Sequence, residues 1–111
     1  MAENLLQKNI QPLLMTLPPV DASRYLSFIC RDGLNRANIL KWLGDSEQMI
    51  YRYQEMYSAA IMKLALRRRF PVVDVRSYFL DKHNYGDLIS ADGIHPSEAG
   101  YALIHRAFDD F

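Results

Sequence analysis

An aspartate and a histidine lie three residues apart in the segment SADGIHPSEAG, residues 90–100. Histidine can accept a proton near neutral pH, because its unperturbed pKa is about 6.5. A carboxylate bound to the Nδ1–H of the ring fixes the tautomer and stabilises the imidazolium that forms. We therefore predict that His95 is a catalytic base and that Asp92 orients it. The alternative is that Asp92 is a turn residue and His95 merely precedes a helix.

A base of this kind needs a nucleophile, and the tripeptide Gly44-Asp45-Ser46 contains a candidate serine. The residues before it, ANILKWL, have helical spacing, and Gly44 suits the end of that helix. Asp45 suits an N-cap of the next helix, with Gln48 three positions on, as in a capping box. We predict that the tripeptide ends one helix and begins another, and a catalytic Ser46 is the alternative.

The other polar candidates are predicted to be structural. His83 lies in a polar loop and is expected to be solvated, whereas His105 lies toward the end of the last helix, where positive charge is favourable. Three scattered histidines lack the matched spacing of a metal site, so neither a metal nor a cofactor is predicted. Asp74 is expected to bond loop backbone at the end of a strand.

Composition and charge bound the class of protein. The chain has 111 residues, of which 50% are hydrophobic, and its 13 basic and 13 acidic side chains cancel. These values predict one globular domain over residues 1–111 and give no indication of nucleic acid as a partner. No apolar run approaches the roughly 20 residues of a membrane span. The single cysteine, Cys30, excludes an internal disulfide and fits a reducing compartment, so a cytoplasmic location is predicted.

The hydrophobic pattern predicts alternating strands and helices. Two nearly continuous apolar runs, IQPLLMTLPP and VVDV at residues 72–75, favour strands covered on both faces. A 3.6-residue period over residues 47–69 predicts a long helix. Ser97 is predicted to cap a last helix with Tyr101, Ile104 and Phe108 on one face.

This order predicts an α/β fold, but only two strands are counted where such sheets typically have about five or six. The edges and faces of a two-stranded sheet would be thinly covered. Three explanations stay open: strands were missed, the chain is part of a larger domain, or it borrows surface from a partner. The last predicts a homo-oligomer.

The segment DGIHPSEAGY resembles the last conserved block of the SGNH/GDSL hydrolases, through Asp92, His95, Pro96, Ser97 and Gly100. The segments LLMTLPPV, QEMYSAAIMKLA and FPVVDVRSYF are similar, in the same order, to a strand and proline-rich loop, a long helix and the final strand of that family. The resemblance implies serine esterase or acylhydrolase activity on a flavodoxin-like three-layer α/β/α sandwich, an ester substrate, and a Ser-His-Asp triad to which Asp92 and His95 belong.

The chain also departs from the family pattern. The family's nucleophilic serine follows the first strand, and a glycine and an asparagine from two later blocks supply oxyanion donors. These blocks precede the region resembled here, and no Gly-x-Asn-Asp type segment lies between Ser46 and Asp92. The resemblance thus implies an incomplete domain, its C-terminal portion, without the nucleophile. The alternative is an inactive α/β module, or a truncated product, that is stabilised by self-association.

Overall fold

A computed structural model describes residues 2–111 and contains a two-stranded parallel sheet and several helices. In chain order the elements are α1 (Ala2–Gln7), β1 (Leu14–Met15), α2 (Ala22–Ile29), α3 (Arg36–Trp42), α4 (Gln48–Arg68), β2 (Val72–Val73), α5 (Val75–Leu80), a 3₁₀ helix (Tyr85–Leu88) and α6 (Glu98–Asp110). The protein is therefore mostly helical and of the α/β class, and the three-layer flavodoxin-like arrangement stays a prediction.

The two strands pair in parallel, with Leu14 opposite Val72 and Met15 opposite Val73. Both strands lie within the apolar runs that predicted them, but each has only two residues, so both are shorter than the runs at residues 10–19 and 72–75. Asp74 ends it, because its carboxylate accepts hydrogen bonds from the backbone and hydroxyl of Ser77 and so caps α5. The prediction that Val75 is in a strand is therefore wrong, since Val75 is the first residue of α5.

Helix α4 confirms the prediction from the 3.6-residue period, but its start differs from the predicted capping box. Asp45 has a positive φ of 64° and is not the N-cap. Instead, the hydroxyl of Ser46 accepts a hydrogen bond from the backbone of Gln48 at 3.2 Å. At the other end Arg69 adopts the left-handed conformation, and Pro71 follows two residues later.

The main core lies between the sheet, α5 and α6. Val73, Val75, Phe79 and Ala107 are buried together, and five partly buried side chains pack against them: Met15, Tyr78, Leu88, Leu103 and Ile104. Leu103, Ile104 and Ala107 are therefore the inward face of α6. The predicted face was wrong in part, because Tyr101 and Phe108 are exposed while Ile104 packs against the core.

Helices α2 and α4 contact each other, and α4 also contacts β1. Asp21 caps α2, which resolves the region 21–33 as a helix followed by a turn. Within residues 2–111, no helix combines the length and the apolar character needed to cross a membrane.

Candidate active site

The predicted base and carboxylate are in contact. His95 Nδ1 lies 2.5 Å from Asp92 Oδ2, and the other carboxylate oxygen accepts hydrogen bonds from the backbone N–H groups of Ile94 and His95, each at 2.9 Å. The hydroxyl of Ser90 donates to the same oxygen at 2.8 Å. Both oxygens of Asp92 thus form hydrogen bonds. The aspartate stabilises the turn and contacts the His95 ring at the same time.

This arrangement determines the tautomer of His95. An ionised carboxylate only accepts hydrogen bonds, so Nδ1 carries the proton and Nε2 of the neutral ring has a lone pair. The side chain of His95 is 69% exposed, whereas that of Asp92 is 20% exposed. The lone pair on Nε2 is therefore available to take a proton from a group that approaches the surface.

The same hydrogen bonds stabilise the ionised form of Asp92. The contact with the His95 ring contributes most to lowering the pKa of Asp92 below its ordinary value, and the backbone N–H groups of Ile94 and His95 and the Ser90 hydroxyl add to it. Asp92 therefore stays ionised beside the ring throughout the neutral range.

The loop that carries the pair is closed by a short antiparallel bridge between Ile89 and Pro96. Ser90 N–H donates to the carbonyl of His95 at 2.8 Å, and Ser97 N–H donates to the carbonyl of Leu88 at the same distance. The two arms of the loop are thereby held side by side, which brings Asp92 and His95 together over so short a spacing.

Helix α2 anchors the loop from one side. The backbone N–H of Asp21 donates to the carbonyl of Gly93 at 2.9 Å. A Cβ at position 93 would lie 2.4 Å from the nitrogen of Tyr25 and 2.7 Å from the carbonyl oxygen of Asp21, and the φ of Gly93 is +79°. Glycine is required here both for backbone conformation and for the close approach of α2.

Arg24 of α2 also holds the loop, a role that sequence reasoning missed. Its Nη1 lies 2.7 Å from the carbonyl oxygen of Ile89 and 3.1 Å from those of Gly86 and Ser90. These partners are 62 to 66 positions away in the sequence. No local pattern connects a lone arginine in an amphipathic helix to carbonyls so distant.

Helix α6 anchors the loop from the other side. Ser97 caps α6 as predicted, accepting a hydrogen bond from Gly100 N–H, and its hydroxyl also donates to the carbonyl of Asp87. A Cβ at position 100 would lie only 2.1 Å from the carbonyl oxygen of Leu88. The glycine of the DGIHPSEAG segment therefore allows the helix to pack directly on the loop.

Ser46 is engaged elsewhere, at the start of α4. Its hydroxyl accepts from Gln48 N–H, and Gly44 before it has a φ of +76° at the end of α3. Within residues 2–111, no hydrogen bond connects Ser46 with His95. The tripeptide thus lies between the end of α3 and the start of α4, as predicted, although the N-cap is Glu47 in place of Asp45. Glu47 makes no side-chain capping hydrogen bond among the residues that the structure describes.

The remaining polar candidates lie apart from the loop of Asp92. His83 is exposed. His105 lies on α6 with Nδ1 3.1 Å from Asp109. Asp74 accepts from the backbone of Ser77 in α5, and not from loop backbone as predicted, and it also accepts from the hydroxyl of Thr16 at 2.9 Å. No group of three His, Cys, Asp or Glu side chains arranged for a metal ion occurs within residues 2–111.

A second polar cluster follows the strands and was not predicted. Arg76 is buried, and its guanidinium donates to the carbonyl of Leu17, to Gln54 at 2.5 Å and to Glu55 at 2.6 Å. Gln54 in turn donates to the carbonyl of Pro18 at 2.6 Å. Arg76 and Gln54 therefore hold the proline-containing segment that connects β1 to α2.

Two comparisons with known proteins gave different results. A search of curated proteins gave no match. A family model described as the GDSL-like lipase/acylhydrolase family matches residues 20–103, a range that includes α2, Asp92 and His95. Because the match extends over more than half of the 111 residues, the chain belongs to the GDSL-like lipase/acylhydrolase family.

Proposed function

We propose that Asp92 and His95 are the acid and the base of a Ser-His-Asp triad that hydrolyses carboxylic esters. The observation that carries the proposal is the 2.5 Å contact between His95 Nδ1 and Asp92 Oδ2, together with the exposure of the ring. Membership of a lipase/acylhydrolase family agrees with this chemistry.

In the proposed reaction the oxygen of a serine attacks the carbonyl carbon of the ester while His95 Nε2 takes the hydroxyl proton. Asp92 stabilises the resulting imidazolium. The tetrahedral intermediate then collapses, and the imidazolium gives its proton to the departing alcohol. Water attacks the acyl-enzyme with His95 again as the base, which releases the carboxylic acid and regenerates the serine.

We further propose that the serine and the oxyanion donors are supplied from outside these 111 residues, which would form the C-terminal part of a flavodoxin-like α/β/α domain. Two observations support this. The Ser46 hydroxyl accepts a hydrogen bond from Gln48 N–H beside the start of α4 and, in the described part of the chain, makes no hydrogen bond to His95. The order of strand, long helix, strand and DGIHP loop in this chain also resembles that of the family's C-terminal half.

A direct test begins with the coding sequence upstream of Met1, which is read for an apolar strand followed by Gly-Asp-Ser. The protein extended by that segment is then assayed with p-nitrophenyl acetate. His95→Ala is expected to lower kcat by about 10³–10⁴-fold, because the serine loses its base. His105→Ala is the matched control, since this exposed histidine also pairs with an aspartate but lies on α6.

The 111-residue chain is expected to give only background hydrolysis in the same assay. Losing a covalent nucleophile and donors that each contribute about 3–4 kcal/mol leaves little catalysis. Turnover by this chain that disappears in His95→Ala would refute an external serine, and fluorophosphonate labelling with peptide mapping would then identify the nucleophile. Full activity of His95→Ala in the extended protein would refute the proposed base.

A second candidate function is an inactive α/β module stabilised by self-association. It is favoured by the apolar residues beside the open edge of β1, where Leu13 is 48% exposed. A strand with apolar residues on both faces usually lies inside a sheet rather than at its edge. Self-association and an esterase ancestry are compatible, since the first concerns this polypeptide and the second its family.

A further inference from the structure

We infer that Arg24 is a positioning residue for the Asp92–His95 pair, because its guanidinium binds the backbone of the loop on which both side chains lie. This inference rests on the function proposed for that pair. Arg24 does not reach the ring or the carboxylate, and it acts through the carbonyls of Gly86, Ile89 and Ser90. Nη1 has two hydrogens for these three oxygens, so the contacts are shared, with the 2.7 Å contact to Ile89 the shortest.

Ser90 connects Arg24 to the pair. Its carbonyl accepts from Arg24 and from Gly93 N–H, and its backbone N–H donates to the carbonyl of His95. Its hydroxyl donates to Asp92 Oδ1 at 2.8 Å. One residue thus carries a bond to the arginine, a bond to the backbone of the base and a bond to the carboxylate, so a shift of Ser90 would move both members of the pair.

A purely ionic role for Arg24 is weaker. Its Nη2 lies 3.6 Å from Asp21 Oδ2, and both side chains are about one third exposed. Exposed ion pairs of this kind contribute little, whereas charge-assisted hydrogen bonds to carbonyls are directional and short. The carbonyl contacts also join α2 to a loop more than 60 positions away, beside the Asp21–Gly93 hydrogen bond.

The test uses the 111-residue chain without substrate. Two measurements report on the pair: carbon-13 NMR titration of the Asp92 carboxyl, and hydrogen exchange of the Ile94 and His95 amides that donate to it. The variants are Arg24→Gln and Arg24→Lys. The control is Arg52→Gln, which removes the same charge as Arg24→Gln. Arg52 is exposed, and its guanidinium contacts the sulfur of Met49.

In Arg24→Gln we expect the pKa of Asp92 to rise toward its ordinary value, and the Ile94 and His95 amides to exchange about tenfold faster. Arg24→Lys keeps the charge but replaces the planar fork by one ammonium on a differently shaped side chain. It is expected to fall between Arg24→Gln and the unchanged protein. If Arg24→Gln does not fold, the Asp92 titration and the amide exchange of Arg24→Lys test the inference on their own.

Two results would overturn the inference. One is an Arg24→Gln protein whose Asp92 titration and amide exchange match those of Arg52→Gln. The other is an Arg24→Lys protein indistinguishable from the unchanged chain, which would mean that the planar guanidinium is not needed to hold the loop. Neither result depends on hydrolysis, so an active His95→Ala enzyme would refute the proposed function while leaving the Arg24 measurement valid.

Discussion

At the scale of single residues, the carboxylate of Asp92 has two roles that reinforce each other. Its Oδ1 forms the turn by accepting backbone N–H groups of Ile94 and His95, and its Oδ2 holds the His95 ring. The turn therefore places the ring, and the ring lowers the pKa of the carboxyl that maintains the turn. Local folding and the proposed catalysis therefore depend on the same carboxylate.

This coupling predicts how stability depends on pH. Because the pKa of Asp92 is lower in the folded chain than its ordinary value of 3.8, the ionised carboxylate stabilises the fold above that value. The contribution is lost as the pH falls through the folded pKa. Asp92→Asn lacks the titrating group, so its free energy of unfolding should decline less steeply below about pH 4.

The measurement is urea unfolding of both proteins at a series of pH values from neutral to strongly acidic. Asp74 also has a lowered pKa, since hydrogen bonds from Ser77 and Thr16 outweigh the opposing effect of its burial, and it contributes an acid-sensitive background in both proteins. Only the difference between the two curves reports on Asp92. Parallel curves would contradict a stabilising role for its ionised form.

At the scale of elements, the DGIH loop is fixed because two helices approach it at glycines. Gly93→Ala combines a left-handed φ of +79° with a Cβ 2.4 Å from Tyr25 N, a backbone atom that cannot move aside. We expect this variant to lose about 2–4 kcal/mol of unfolding free energy. Gly33→Ala is the control, because Gly33 has a similar φ of +87° with nothing within 4 Å.

Gly33→Ala should lose only about 1 kcal/mol, the cost of the left-handed backbone alone. Both losses can be measured by urea unfolding, and the difference between them isolates the close approach of α2. In Gly93→Ala the Asp21 amide, which donates to the carbonyl of Gly93, should also exchange faster. Equal losses of unfolding free energy in the two variants would mean that α2 shifts at little cost and does not fix the loop.

The elements also show which features the sequence could predict. The 3.6-residue period predicted α4 to within a residue at each end, and the short spacing of Asp92 and His95 predicted their contact. Finer local predictions were wrong: the N-cap of α4 is Glu47 and not Asp45, and Asp74 caps α5 so that Val75 is helical and not in a strand. Arg24 and Arg76 bind carbonyls across more than 55 positions, and only the tertiary fold brings such partners together.

At the scale of the whole molecule, the chain is less compact than its length predicts. Its accessible surface is 7728 Å², whereas a compact monomer of 12.9 kDa has about 6,300 Å². Its radius of gyration is 16.3 Å, compared with about 13 Å for a domain of this length. The excess surface, about 1,400 Å², exceeds the roughly 800 Å² that each partner contributes to a standard interface.

This excess predicts that the isolated chain self-associates at micromolar concentration, and the edge of β1 is where we expect the contact. Leu13 is exposed immediately before that strand, and Leu14 lines an apolar hollow of about 410 Å³ together with Leu5, Pro12 and Leu64. Leu13→Lys places a charge beside the open edge, a position at which lysine discourages strand pairing. It should weaken association at least about tenfold, since burying an unpaired charge is unfavourable.

Leu66→Lys provides the matched control, because Leu66 is 76% exposed on α4 and does not line the hollow beside β1. Light scattering coupled to size-exclusion chromatography, over a range of chain concentrations, gives the mass of each protein. The unchanged chain and Leu66→Lys should be dimers or larger, while Leu13→Lys should approach 12.9 kDa. If the unchanged chain is a monomer that unfolds cooperatively, it does not need self-association to stabilise its excess surface, and the prediction is wrong. Equal weakening by both lysines would place the contact away from β1.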